Sequence, residues 1–346
     1  MKLKLTLIVA LTITAITTIS WESYWRSQGY EPNLNDNKEI WATQRARVDK
    51  ATTDDILTIG SSRIYFDIQL DEWQRTTGVK PIQLASQGTT PLPIFRDIVE
   101  NTNFSGTIIV GVTPGLFFST TYPEAFIWKR GIVKNNYFHK RTYAQKLNFY
   151  LGLPLEENLV FMSGDEEKLE DDVDLKSILR RCRFGNRTGK KDFLYYNFGD
   201  LSRDRNMKMT KRTTSDTSFA NKIKANWKAI LTSGDIPPPD KKSTMEYFLK
   251  DAKVFTERGG NLILLRCPSS GFMRGGEAKF LPRQDFWEDL VQQSNLPAYH
   301  FEDYEQFKNL NCPEWSHLSA EDATFFTAEL AKIMLKDGVI TNHKTN

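Results

Sequence analysis

Short apolar runs alternate with longer amphipathic segments along most of this chain. A short run rich in Ile, Leu and Val is typical of a buried strand, whereas apolar residues spaced three and four apart are typical of a helix. Five runs predict strands: Ile56–Ile59, Pro81–Ala85, Thr107–Val112, Asn261–Arg266 and Ala298–Phe301. Because the run at 107–112 is continuously apolar and β-branched, it is expected to be buried on both faces, as in parallel sheets.

Predicted helices lie between these strands. Asn37 is expected to cap a helix before the first strand, and Pro91 to begin one that runs through Val99. Further helices are predicted for residues 241–258 and for the segment that ends at Lys336. This alternation predicts an α/β fold, a three-layer sandwich with a central, mostly parallel five-stranded sheet.

The N-terminal segment carries a membrane-targeting pattern. Two lysines precede an almost uncharged run from Leu5 to Trp21. Such a run fits either a signal peptide or a short transmembrane helix. Because no small-x-small cleavage site follows, and Trp25 also suits a membrane interface, residues 1–26 are predicted to be an uncleaved signal-anchor helix. The body, residues 27–346, would then lie on the extracytoplasmic (periplasmic) side of a single-pass membrane protein.

The alternation breaks between about 119 and 242, where Asn, Arg, Lys, Asp and aromatic residues predominate. This stretch is predicted to be a long irregular insertion within a single α/β domain, in which Tyr137 through Tyr150 could be helical. Two interpretations stay open. The insertion could cover the carboxyl ends of the strands and shape a substrate site, or it could be a packing or oligomer surface.

Composition narrows the classes of function. The chain has 346 residues, 40% of them hydrophobic, which is enough for a large core. Its net charge of +3 comes from 46 basic and 43 acidic residues that are interleaved, so no nucleic-acid partner is indicated. With four histidines, three cysteines and no Cys-x-x-Cys spacing, we predict no metal site and no cofactor.

Candidate chemistry appears where the first strand ends, at Gly60-Ser61-Ser62. A hydroxyl at a strand end is well placed for catalysis in an α/β sheet, although serines there also cap helices. Near the other end of the chain, Glu314 precedes His317 by three residues. A serine nucleophile needs a base, and the base needs an orienting acid, which these two residues could supply. The alternative is a surface histidine near a helix cap.

These blocks, together with Ser86-Gln87-Gly88, resemble the SGNH (GDSL-like) hydrolases and their flavodoxin-like fold. The resemblance is closest to a membrane-anchored, extracytoplasmic branch that includes O-acetyltransferase-like proteins of cell-surface polymers. It implies Ser62 as nucleophile, His317 as base and Glu314 as orienting acid. It also implies an esterase or O-acyltransferase whose substrate is an acylated saccharide or envelope polymer.

The chain departs from the family pattern at two positions. Glu314 replaces the usual Asp, and Thr113 stands where the family places an Asn oxyanion donor. The backbone N–H groups of Ser62 and Gly88 could still form an oxyanion hole. These departures keep open a noncatalytic relative that binds polymer or acts as a scaffold in the cell envelope.

Three other residues have two interpretations each. Arg63 could attract an anionic polymer or acyl donor, or pair with a nearby acid, and we favour the pairing. Cys267 and Cys312 both follow predicted strands and could form a disulfide that braces the His317 turn, or remain free.

Overall fold

The computed structural model describes residues 2–162, 196–232 and 238–343. Five parallel strands form its central sheet, in the order β2-β1-β3-β6-β7. Two short antiparallel strands, β4 and β5, form a separate hairpin. The strands are β1 Ile56–Ile59, β2 Ile82–Gln83, β3 Thr107–Gly111, β4 Gly199–Leu201, β5 Met207–Met209, β6 Asn261–Arg266 and β7 Ala298–His300.

Helices precede, connect and follow these strands. They are α1 Lys2–Ser27, α2 Lys38–Val48, α3 Ser62–Asp67, α4 Leu70–Thr77, α5 Leu92–Asn101, α6 Pro114–Phe117, α7 Phe126–Lys140, α8 Tyr143–Asn158, α9 Lys211–Ser215, α10 Thr217–Leu231, α11 Lys241–Glu257, α12 Gly271–Phe280, α13 Asp289–Ser294, α14 Glu305–Lys308 and α15 Ala320–Lys336. Single turns of 3₁₀ helix lie at Val160–Met162 and Phe301–Asp303, and a π turn at Gln284–Glu288.

Each face of the sheet packs against its own hydrophobic core. Successive strand residues point to opposite faces, so in β3 Ile109 joins one core while Ile108 and Val110 join the other. Helices α3, α4 and α15 contribute to the core around Ile109, whereas α2, α5 and α11 contribute to the other. The continuous apolar runs therefore follow from a sheet that is covered on both sides.

The order of the strands reverses between β1 and β3. The chain passes from β1 outward to β2, then crosses back over β1 to β3 and continues in the other direction. In doubly wound sheets, ligands bind at the carboxyl ends of the strands at such a reversal. The end of β1, at Gly60-Ser61-Ser62, lies at this point.

The α/β class and the five sheet strands are confirmed, and the sheet is parallel throughout. Asn37 caps α2 as expected, accepting hydrogen bonds from the backbone N–H groups of Glu39 and Ile40. Strand β2 is shorter than predicted because pairing extends only over Ile82–Gln83.

The prediction that the insertion is irregular is wrong for its described residues. They form α7, α8, the hairpin β4–β5, α9 and α10. The segment from Tyr137 through Tyr150, which could be helical from its sequence, includes the end of α7 and the first half of α8. Residues 163–195 and 233–237 lie outside the described part of the chain.

Helix α1 is long and apolar enough, from Leu3 to Ser27, to cross a membrane. Its most apolar window is entirely unburied by the rest of the chain. A signal sequence near the N-terminus has the same length and composition, so these properties are compatible with a membrane anchor and with a signal sequence.

Helix α3 packs closely on the ends of β1 and β3, and this packing requires glycine at Gly111. A Cβ atom there would lie 2.6 Å from Cγ2 of Ile64. We expect Gly111→Ala to lower the free energy of unfolding by about 1–3 kcal/mol, because the overpacked methyl group must displace Ile64. Thermal denaturation measures the change.

Gly275 provides the matched control. It is exposed inside α12, and a Cβ atom there would meet nothing within 4 Å. Gly275→Ala should be neutral or stabilise by up to about 1 kcal/mol, because alanine favours the helix. Equal destabilisation by both substitutions would contradict the close approach of α3.

Candidate active site

Three loops meet where β1, β2 and β3 end. The backbone N–H of Ser86 donates to the carbonyl of Gly60 at 3.0 Å, which joins the first two loops. The hydroxyls of Ser61 and Thr113 lie 2.5 Å apart, which joins the first loop to the third. The blocks at 60–62, 86–88 and 113 are therefore neighbours in space.

The two adjacent serines have different environments. Ser61 is buried, and its hydroxyl is taken by Thr113. Ser62 is the first residue of α3 and is half-buried. Within the described residues, its hydroxyl forms no hydrogen bond, and neither serine caps α3 through its side chain. Of the two hydroxyls, that of Ser62 is the one available for chemistry.

Glu314 and His317 form a buried pair in the turn before α15. The Nδ1 atom of His317 lies 3.0 Å from Oε1 of Glu314. The same oxygen accepts the backbone N–H groups of Ser316 at 3.1 Å and His317 at 2.6 Å, while Oε2 accepts the indole N–H of Trp227. The carboxylate is thus satisfied without solvent.

These contacts fix the ionisation of Glu314 and the tautomer of His317. Burial by itself would raise the pKa of the Glu314 carboxyl, but the His317 imidazole and the hydrogen bonds from His317 and Trp227 outweigh it and lower that pKa. An ionised carboxylate only accepts hydrogen bonds, so Nδ1 of His317 must carry the proton. In the neutral imidazole, Nε2 then keeps its lone pair, as a general base requires.

The turn holding the pair has an uncommon backbone conformation at Trp315, whose φ is +80°. Its carbonyl accepts the backbone N–H of Ser270 at 2.9 Å, and its ring lies over Gly271. A Cβ atom on Gly271 would come within 2.5 Å of that ring. The loop after β6 therefore holds the Glu314–His317 turn in place.

Helix α3 lies alongside the same turn. The centroid of the Phe66 ring is 4.6 Å from the centroid of the His317 imidazole. Oδ1 of Asp67 accepts the backbone N–H of Leu318 at 2.9 Å. Ser62 is one helical turn before Phe66, so it lies on the face of α3 that contacts His317.

The Nε2 atom of His317 is buried and has no hydrogen-bond partner among the described residues. A bond from Ser62 to His317 is therefore not formed in this conformation. Hydrogen bonds between nucleophile and base are often long before substrate binds. The rings of Phe66, Phe198 and Trp227 surround the imidazole and keep water from it.

Buried charges support the loop at 86–88. Lys134 donates to the Ser86 hydroxyl at 2.7 Å and pairs with Asp36 at 3.2 Å. Arg205 also pairs with Asp36, and it donates to the carbonyl of Ala85 at 2.9 Å. Gly88 has a φ of +62°, a conformation that glycine adopts without strain. The loop that carries Gly88 thus begins beside the end of β1, where Ser86 bonds to Gly60.

Arg63 is ion-paired rather than presented to solvent. Its guanidinium is buried, with Nη2 2.5 Å from Oε1 of Glu277 and Nε 3.5 Å from the Ser316 hydroxyl. Arg266 pairs with the other oxygen of Glu277 at 2.6 Å. The geometry matches the structural interpretation of Arg63 and gives no support to a role in binding substrate.

Cys267 and Cys312 are both buried free thiols, so the disulfide considered from the sequence is not formed. Burial raises the pKa of both thiols well above the ordinary value. Both residues belong to the core that also contains Leu318, next to His317. Their role here is packing beneath the turn.

Two contributors to the site were not predicted. Trp227 lies on α10, 87 residues before the carboxylate it binds, and no local pattern marks it. Asp67 lies between the apolar residues Phe66 and Ile68, and an acid enclosed in this way is a recognisable sign of a buried carboxyl.

No protein-family model and no curated protein sequence matches this chain.

Asp67 should make stability depend on pH. Burial raises the pKa of its carboxyl well above the ordinary value, and Oδ2 has no partner among the described residues. The contribution of the Asp67 carboxyl to the free energy of unfolding is complete below its unfolded-state pKa, about 4. This contribution is lost as the pH rises through the folded-state pKa. Asp67→Asn keeps an acceptor for Leu318 and cannot ionise, so its stability relative to wild type should rise with pH from about 4 upward.

Denaturant unfolding at a series of pH values measures this difference. Asp54→Asn, at an exposed position, is the matched control and should leave the pH profile unchanged. Profiles for Asp67→Asn and wild type that run parallel at every pH would mean that Asp67 does not take up a proton on folding.

Trp227 should stabilise the ionised form of Glu314. We expect Trp227→Phe to lower the free energy of unfolding at neutral pH by about 1.5–3 kcal/mol, the usual worth of a hydrogen bond to a charged group. Because a lowered pKa stabilises the fold above the ordinary pKa, the loss should shrink as acid protonates Glu314.

Trp73→Phe controls for the smaller ring, since Trp73 is buried and its indole N–H has no partner among the described residues. Both variants lose the same atoms of the indole ring, and only the one at Trp227 should have a cost that depends on pH. A pH-independent cost at both positions would show that the Trp227–Glu314 bond is unimportant.

Proposed function

We propose that this chain is a membrane-anchored serine esterase or O-acyltransferase of the SGNH-like class, acting on an acylated carbohydrate or envelope polymer. The observation that supports it most is the buried Glu314–His317 pair, whose free Nε2 lies beside the helix that begins with Ser62. Few structural roles require a fully satisfied carboxylate to hold an imidazole with its second nitrogen unpaired.

In the proposed reaction, the Ser62 hydroxyl attacks the ester carbonyl while Nε2 of His317 takes its proton. Glu314 stays ionised and stabilises the imidazolium that forms. His317 then returns the proton to the departing alcohol, which leaves an acyl group on Ser62. The first step requires the Ser62 hydroxyl to come within hydrogen-bond distance of Nε2 of His317, a contact that is not made in this conformation.

The second half of the reaction determines the class of enzyme. Water would release the acyl group as an acid, whereas a sugar hydroxyl would accept it and make the enzyme a transferase. In both cases His317 removes a proton from the incoming nucleophile. The aromatic enclosure of the imidazole limits access of water from that side.

The backbone N–H groups of Ser62 and Gly88 are the proposed oxyanion donors. The first belongs to the initial turn of α3, where N–H groups have no helical partner. The hydroxyl of Thr113 is engaged with Ser61, so it is a weaker candidate for the third donor. Loss of one donor typically costs about 10²–10³ in rate, which leaves an active enzyme.

Residues 1–26 are proposed to remain as an uncleaved signal anchor, with the α/β body outside the cytoplasm. The support is the long exposed apolar helix α1 and the aromatic residues at its carboxyl end. An envelope polymer would then be within reach of the site.

The alternative is a noncatalytic SGNH-like protein that binds polymer or acts as a scaffold in a cell-envelope assembly. Two observations favour it: His317 is only 1% exposed, and its Nε2 is not bonded to Ser62. In this case the Glu314–His317 pair would simply rigidify the turn before α15.

The role of Ser62 is tested by substitution. Ser62→Ala should reduce hydrolysis of an acetyl ester by about 10³-fold or more, because the nucleophile is lost, while leaving the melting temperature nearly unchanged. Full-length protein in detergent, assayed with p-nitrophenyl acetate and labelled with a fluorophosphonate probe, provides the measurement.

Ser61→Ala is the matched control, since it removes the neighbouring hydroxyl and should leave most of the activity. Hydrolysis that survives Ser62→Ala, or equal losses with unfolding in both variants, would disprove the assignment. A folded wild-type protein that neither hydrolyses the ester nor takes the label would support the noncatalytic alternative.

A further inference from the structure

Helix α8 is apolar on two opposite sides. Phe149 and Leu153 are buried in the core that also contains Leu318. The opposite side is exposed and carries five large apolar residues at helical spacing: Tyr143, Leu147, Tyr150, Leu151 and Leu155. Tyr143 is 89% exposed and Leu151 67%. Surface helices of soluble domains normally present polar residues on this side.

The 3₁₀ turn that follows α8 extends this apolar surface. Phe161 and Met162, within Val160–Met162, are exposed as well. A contiguous exposed apolar patch marks a surface that contacts a membrane, a ligand or another protein. We call the five exposed residues of α8 together with Phe161 and Met162 the α8 face.

The α8 face adjoins the carboxyl end of the candidate membrane helix. Arg26 donates to the carbonyl of Asn158, the last residue of α8, at 2.8 Å. The Glu22 carboxylate accepts the backbone N–H groups of Val160 at 3.0 Å and Phe161 at 3.3 Å. The end of α8 is thereby fixed against the last two turns of α1.

Aromatic residues mark these turns of α1 as the part that would lie at a membrane surface. Trp21, Tyr24 and Trp25 pack against one another, and Tyr30 packs against Trp25. Tryptophan and tyrosine concentrate at the depth of lipid headgroups. Because Glu22 lies among them, Phe161 and the end of α8 are at that same depth.

We propose that the α8 face lies in the interfacial layer of the membrane that α1 enters. The inference rests on the membrane anchoring in the proposed function. A helix of 16 residues is about 24 Å long, so α8 would add an extended contact beside the anchor. Its apolar side chains would enter the boundary between headgroups and acyl chains, as in other interfacial helices.

Two membrane contacts would hold the body in one orientation. A single helix allows the domain to rotate about its axis, whereas a second contact to one side prevents this. Because Phe149 and Leu153 anchor α8 in the core that also contains Leu318, the candidate site would be kept at a fixed height above the membrane.

The test measures contact between lipid and Leu151. Full-length protein carrying Cys182→Ser and Leu151→Cys is labelled with the fluorophore NBD and reconstituted into phosphatidylcholine–phosphatidylglycerol vesicles. Lys253→Cys in the same background is the matched control, because Lys253 is exposed on α11, which packs on the other face of the sheet. Lipids with a nitroxide near the headgroup should quench the label at 151 at least about twofold more than the label at 253.

Equal quenching at 151 and 253 would overturn the proposal. If the chain then still resists alkaline extraction, α1 anchors the protein and only the α8 contact has failed. If the chain is extracted, the anchoring itself has failed. Energy transfer between labels at 151 on two chains, without lipid quenching, would assign the α8 face to a second copy and would also overturn the proposal.

Discussion

The buried Glu314 carboxylate is the group on which the arrangement of the site depends. An ionised carboxyl without solvent is stable only when its oxygens are saturated with donors. The donors come from the backbone at Ser316 and His317, from the imidazole, and from Trp227 on a distant helix. To meet this requirement the chain must bring α10 against the turn before α15, which places the Trp227 ring beside His317.

A second constraint acts from the other side of the imidazole. Helix α3 begins directly after β1, and Gly60 and Gly111 let Ile64 approach the strand ends. From that position Phe66 and Asp67 reach the His317 turn. The site is therefore formed between two short segments whose backbone positions are fixed by packing, which is the preorganisation that the proposed acyl transfer would require.

Much of the fold was predictable because its signals are local. The apolar runs predicted the strands, while Asn37 marked a helix start by its side chain. The Glu314-x-x-His317 spacing was sufficient to predict their contact, since one turn joins them. Trp227 could not be predicted in this way, because its contact depends on how the insertion folds back. Arg63 remained ambiguous because a buried ion pair and an exposed anion site use the same side chain.

The insertion contacts both the candidate active site and the candidate membrane helix α1. Through Trp227 it holds the acid of the site, and through α8 it touches the end of α1. Both contacts are made by side chains whose loss would leave the central sheet intact, since none belongs to a sheet strand. An α/β domain of this kind can therefore keep its sheet while an insertion helps to enclose the site and, in the proposed function, helps to set the position of the site relative to the membrane.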